Sequence, residues 1–266
     1  MTVHWKTDKW IMPQIQYIEK YTHSQYRLYA FFTDVNYECL KDKFYHVSEG
    51  PNKSHPRKLN KLADIACTRA MNASDWLVFI DSDAFLIDEW IPYIADLLED
   101  YPLIAVRRDE NLGDPQPHPC FCVTTVGFWR EIRGTWEAGF KWKNNAGDWI
   151  ADVGGILLQS LIEKNIVWFT ILRSNKKNLH PVFFGVYDGI IYHHGSGSRS
   201  GLSRREATQF RGEMGSQRQL LPGLFGVNTG KVQVSTKAER LSEVEAISSR
   251  VFEEIVASSE FYRQFL

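Results

Sequence analysis

Asp81 and Asp83, with Ser82 between them, are two carboxylates one residue apart, and their spacing is the strongest chemical signal in this 266-residue chain. Side chains so close repel each other unless protons or a cation neutralise them. A hard divalent ion, Mn2+ or Mg2+, suits carboxylate and diphosphate oxygens. Bridging two phosphates, it would stabilise the charge that develops on a departing nucleoside diphosphate. The competing use of the same residues is an Asx-type turn in which both acids bond backbone amides.

Position separates these uses. The run Trp76-Leu-Val-Phe-Ile80 is continuously apolar, as a strand buried on both faces must be, and the acids end it. In open α/β sheets ligands bind at the carboxyl ends of such strands. The residues before this run alternate short β-rich segments with helical periodicity, which predicts a parallel sheet covered by helices. Strands are expected at 2–5, 27–33 and 44–47, and helices carry Trp10, Ile11, Ile15 and Ile18, then Leu59, Leu62, Ile65 and Ala66. Beyond the acids a helix is expected at 88–100, a strand at 103–106 and a Pro/Gly/Asp-rich loop at 111–119. A strand at 120–125, helices at 128–132 and 152–164, and strands at 166–172 and 185–192 complete the pattern. Residues 195–235 are rich in Gly, Ser and Arg. The last thirty space Leu241, Val244, Ile247, Val251 and Ile255 for one apolar helical stripe. The expected organisation is a main domain at 1–235, with halves at 1–108 and 109–200 and a loop at 195–235, followed by a helix at 236–266.

Composition narrows the classes. Acidic and basic residues number 32 and 31, so no global field draws nucleic acid or an anionic membrane. Cys39, Cys67, Cys120 and Cys122 match no zinc or redox spacing and are expected to be reduced core thiols. Neither a signal peptide nor a run of ~20 apolar residues is present, which predicts a cytoplasmic protein, with peripheral membrane contact open to the C-terminal helix.

The segment Ala73-Ser-Asp-Trp-Leu-Val-Phe-Ile-Asp-Ser-Asp-Ala resembles the DxD-containing segment of family 2 and related GT-A glycosyltransferases. Arg57-Lys-Leu-Asn-Lys61-Leu-Ala is similar to the basic, Asn-containing helix near the donor in those enzymes. The resemblance covers roughly residues 1–200 and implies an α/β fold of GT-A type: a Rossmann-like, mostly parallel central sheet with flanking helices and here a C-terminal helical appendage. It further implies transfer of a sugar from a UDP- or GDP-sugar to a hydroxyl of a glycan or lipid-linked acceptor. Asp83 would ligate the metal directly and Asp81 would touch the donor or reach the metal through water, with Ser82 as spacer.

A histidine far along the chain often completes such sites, and Tyr192-His193-His194-Gly195 resembles that feature. Neighbours on a strand point opposite ways, so at most one is a ligand, and His194 is slightly favoured. An inverting transferase also needs a base for the acceptor hydroxyl, for which Asp152 in Gly147-Asp-Trp-Ile-Ala-Asp-Val-Gly-Gly fits, with Asp148 as rival and helix capping as the bland role of either. Asp34 occupies the place of a nucleobase- or ribose-binding acid, or of a turn residue. Arg57 and Lys61 suit phosphate or solvent. Arg199, Arg204 and Arg205 suit a lid over the diphosphate or an exposed linker. His118 and Trp129 are expected in loop or core roles near the sugar site, and one of Trp136, Trp142 and Trp149 on the acceptor. Rivals from other classes are a metal-dependent nucleotidyl or phosphoryl transferase and a non-catalytic glycan-binding protein.

Overall fold

A computed structural model describes residues 1–51, 54–195 and 237–266. Strand β1 (Thr2–Trp5) leads to helix α1 (Ile11–Tyr21), which buries Ile11, Ile15 and Ile18. Strands β2 (Tyr29–Thr33) and β3 (His46–Glu49) follow, then α2 (His55–Arg69), started by Pro56 in its first turn and packed through Leu59, Leu62, Ala63 and Ala66. The apolar run is β4 (Trp76–Ile80), with the acids immediately beyond it and a short strand β5 (Ala84–Leu86) after them. Next come α3 (Ile91–Asp100), β6 (Leu103–Val106), β7 (His118–Thr125) and α4 (Val126–Glu131). A small hairpin, β8 (Trp142–Lys143) with β9 (Trp149–Ile150), precedes α5 (Gly155–Glu163) and β10 (Phe169–Ile171). Strands β11 (Gly185–Tyr187) and β12 (Ile191–His193) and helix α6 (Lys237–Ala257) close the described chain.

Two sheets, β3-β2-β1 and β4-β7-β6-β10, meet at Met1. Its nitrogen donates to the Val78 carbonyl at 2.7 Å and its carbonyl accepts from Ile80 N at 3.0 Å, the alternation of a parallel pair. The strand order is therefore 3-2-1-4-7-6-10, with β7 antiparallel to β4 and β6 on either side. Every other pairing along it is parallel. This is the mixed α/β architecture, with a mostly parallel sheet and flanking helices, that the alternation of segments predicts.

A second, antiparallel sheet, β11-β12-β5, stands at the carboxyl edge of the first. It corrects one expectation. Residues 185–192 do not form one strand, because Asp188 and Gly189 take φ of 49° and 72° and fold the chain into a hairpin. Asp-Gly is a strong signal for such a turn, since both central residues need positive φ. Cys39 is also corrected: it is exposed, while the other three cysteines are buried free thiols. The third strand begins two residues later than expected, and the short β5, β8 and β9 carry too few residues to show a period.

The C-terminal stripe lies against the domain. Val251, Ile255, Phe261 and Phe265 share a core cluster with Trp10, Tyr17, Phe85 and Tyr192, and Val244 and Ile247 pack on its margin. The side chain of Leu241 and all of residues 196–236, including Arg199, Arg204 and Arg205, lie outside the description.

Candidate metal centre

The acids sit where a buried strand stops and a tight turn begins. Ala84 N donates to the Asp81 carbonyl at 3.0 Å, and the Gln14 side chain, reaching over from α1, donates to the carbonyls of Asp81 at 2.6 Å and Ala84 at 3.1 Å. The turn is thus held from outside as well as from within. Asp83 and Ser82 are each 6% exposed, while Asp81 is half-buried.

Strand β12 brings the histidines. It pairs antiparallel with β5, placing His193 opposite Ala84, and His194 N donates to the Asp83 carbonyl at 2.9 Å. His193 Nε2 lies 3.5 Å from Asp83 Oδ1 and 3.9 Å from Asp81 Oδ2. One atom from each of Asp81, Asp83 and His193 falls within 4.8 Å of the others, a spacing that could hold a metal ion. Among the described residues it is the single such group of three or more.

His194 goes the other way. The preference for His194 over His193 is not what the geometry delivers: its ring is fully buried, with Nδ1 3.1 Å from Tyr192 Oη and Nε2 2.7 Å from Ser248 Oγ on α6. It packs on Trp10 at 4.7 Å and Phe184 at 4.9 Å between ring centroids. Burial pushes its pKa down to about 3, so it is neutral in the folded chain. The rule that strand neighbours face apart holds here, and it assigns one histidine to the acids and the other to the core.

Two further imidazoles surround Asp81. His55, the first residue of α2, places Nε2 3.1 Å from Asp81 Oδ1. His118, at the start of β7, lies 5.7 Å from His193 between ring centroids, and its Nδ1 accepts from Cys120 N. Burial alone would raise the Asp81 carboxyl, but His55, His118 and His193 outweigh it and hold its pKa below the usual value. His118 is driven well below its usual value by burial and then by the Arg108 guanidinium. The acid that sequence reasoning ranks second thus has three imidazoles around it. His55 shows no pattern in the sequence beyond preceding a proline at a helix start.

The remaining candidates scatter. Asp34 is exposed at the end of β2 with φ of 54°. Arg57 and Lys61 are exposed on α2, Arg57 at 3.9 Å from Glu137. Between them Lys58 is only 2% exposed, three residues from His55 on the same helix face, with Nζ 5.6 Å from the Phe31 ring centre. Burial lowers its pKa, while Asp34 opposes the shift. Asp148 is exposed in the β8–β9 turn. Asp152 is half-buried; its Oδ1 accepts from Val153 N at 2.8 Å and its carbonyl from Gly155 N at 3.0 Å, while the cap position of α5 is Gly154. A Cβ on Gly154 would lie 2.4 Å from the Pro117 carbonyl oxygen, so this turn rests directly against the residue before His118. Trp129 and Trp136 are core residues packed on Phe79.

No protein-family model matches the sequence, and no curated protein does. Among solved structures, TarS of S. aureus overlaps 51% of this chain and 29% of its own, at 12% identity and a TM-score of 0.37. This chain thus spans less than a third of that protein. The galactosyltransferase LgtC, solved in complex with donor and acceptor sugar analogs, overlaps 86% of this chain and 97% of its own, at 10% identity and a TM-score of 0.40. An active-site mutant of LgtC overlaps 63% of this chain and 66% of its own, at 11% identity and a TM-score of 0.32. These values are too low to carry any residue of those proteins onto this one.

Proposed function

We propose that the chain is a metal-dependent glycosyltransferase of GT-A type, moving a sugar from a nucleotide-sugar donor to a hydroxyl acceptor. The observation that carries this reading is the convergence of Asp81, Asp83 and His193 at the carboxyl edge of a buried central strand. Their donor set of two carboxylates and one imidazole fits a divalent ion, and the imidazole favours Mn2+ over Mg2+, which prefers oxygen throughout. Bound there, the ion would supply Lewis-acid stabilisation to a diphosphate leaving group.

The chain's own groups divide the rest. His55, 3.1 Å from one oxygen of Asp81, would orient that carboxylate as an outer partner and leave the other oxygen toward His193. Lys58 adds a buried positive charge on the same helix face, suited to donor phosphate, and Asp34, whose charge acts on Lys58, would meet the nucleoside. Asp152 would take the proton of the attacking hydroxyl in a single displacement with inversion, with Asp148 the alternative; the contact of its turn with Pro117 supports Asp152. NMR analysis of the product anomer tests this step, and a retained configuration would remove Asp152 as base.

The decisive experiment is a thermal-shift screen of UDP- and GDP-sugars with and without Mn2+, on the wild type, Asp83→Ala and His55→Ala. The expected outcome is a nucleotide shift that needs Mn2+, vanishes in Asp83→Ala, and in His55→Ala demands about 10- to 100-fold more Mn2+. A shift that survives Asp83→Ala unchanged would refute the metal assignment.

A further inference from the structure

Nine tryptophans stand in the chain, and Trp149 alone is among the exposed large apolar residues, 66% open to solvent. Trp136 and Trp142, its neighbours in sequence, are 0% and 7% exposed, so the crowded tryptophan segment resolves into two core residues and one displayed ring. We propose that Trp149 is a stacking platform for a pyranose ring, and hence that the acceptor is a glycan. This rests on the transferase reading above for the word acceptor, but not for the binding site itself.

The ring is displayed from a braced support. Trp149 pairs across the β8–β9 hairpin with Lys143, whose Nζ lies 5.4 Å from the indole centre. The buried Asn144 accepts at Oδ1 from Ala146 N at 3.0 Å and Asp148 N at 2.9 Å, and its own N donates to the Asp148 carbonyl at 3.0 Å. Gly147 takes φ of 85° to close the turn, and Asn145 N donates to the Leu112 carbonyl at 2.8 Å, fastening the hairpin to the loop after β6. An aromatic face held this way loses little conformational freedom when a ligand covers it.

The surroundings match a sugar better than a plain apolar partner. A pyranose offers C–H groups on its faces and hydroxyls around its rim, so it needs an aromatic surface bordered by hydrogen-bonding groups. Lys143 Nζ lies over one face of the indole and leaves the other to a ligand, and Asp148, next to Trp149 in the chain, is an exposed hydrogen-bonding group on the same hairpin. The chain runs from Trp149 through Ile150 and Ala151 to Asp152, whose turn abuts Pro117 beside His118.

The test uses the full chain titrated with lactose, maltose, cellobiose and sialyllactose, followed by isothermal calorimetry and by the indole N–H resonances in NMR. At least one sugar is expected to bind and to move the resonance that is missing from Trp149→Phe. Trp149→Ala should weaken that binding ten-fold or more, and Trp149→Phe, which keeps an aromatic face, should weaken it less. Binding by none of the four, or a sugar that moves only other indoles, overturns the proposal. Mn2+ and UDP or GDP titrated into the wild type separate the two ideas. Nucleotide binding without sugar binding removes the platform alone; sugar binding without nucleotide binding leaves the platform and removes the transferase.

Discussion

The two edges of the central sheet differ in kind. The carboxyl edge carries Asp81, Asp83, His55, His118 and His193 within a few side-chain lengths, clamped by Gln14. The amino edge carries a crevice of about 840 Å³, walled by Trp76, Trp90, Leu28 and Ile91, with Arg27 and Arg69 at its mouth. The carboxyl edge brings carboxylates and imidazoles together, and the crevice at the amino edge does not. The crevice arises because Trp76 and Val78, on one face of β4, are only half covered where α1 ends and α3 begins. Its walls are mostly apolar, and among its charged lining residues, Arg27, Arg69 and Asp75, no carboxylate is paired with an imidazole. A functional reading should follow convergent titratable groups before it follows empty space.

Acid should break this contrast most strongly, by attacking the carboxyl-edge half. Burial pushes His4 and His194 down to about 3 and His180 to about 4, against 6.5 for an exposed imidazole. Above about pH 6.5 neither state is protonated and stability is flat. As the pH falls below 6.5 the unfolded chain takes up protons that the native chain refuses, and stability drops until the native pKa values are reached. Each imidazole contributes about 1.4 kcal/mol per pH unit in that window. Urea midpoints measured from pH 7.5 to 4.5 should therefore fall steeply below 6.5; a flat profile would contradict the neutral burial of these rings.

The next effect separates two neighbours within the carboxyl edge. His194→Ala should cost about 2–4 kcal/mol, because it opens a cavity beside Trp10 and strips partners from Tyr192 and Ser248. His193→Ala should leave the metal-free melting temperature near that of the wild type while removing the Mn2+-dependent shift. Equal melting losses for both would mean that the two rings are not divided between core and site.

The smallest effect is expected at the amino edge. Met71, 81% exposed on the rim of the crevice, can become Gln with a stability change within ~0.5 kcal/mol and no change in Mn2+ affinity. Metal affinity that follows this substitution, measured by calorimetry, would show the two edges to be coupled.

Much of the fold was legible because its strands are long enough to show their period. β1, β4 and β6 fall where the apolar runs place them, and the acids' position at a sheet edge follows from β4 alone. The site was less legible. Which of His193 and His194 faces the acids depends on register against β5, a three-residue strand with no recognisable pattern. His55, Lys58 and Gln14 are ordinary helix residues in the sequence, and only the approach of α1 and α2 to the end of β4 gives them a role. The Asp188-Gly189 turn, by contrast, was written in the sequence and could have been read.

The pairing of β12 with β5 also bears on which insertions and deletions the chain can absorb. The two strands are joined by backbone bonds, so a single residue added to or removed from the Asp188-Gly189 turn would slide the ladder by one place. That slip exchanges the faces of His193 and His194 at once, turning the ring that belongs to the acids into the aromatic core and the core ring toward the acids. Homologous chains should therefore keep in the turn residues that accept positive φ, such as Asn, Asp or Gly, and keep the length from turn to histidine fixed, as a gear train keeps its tooth count.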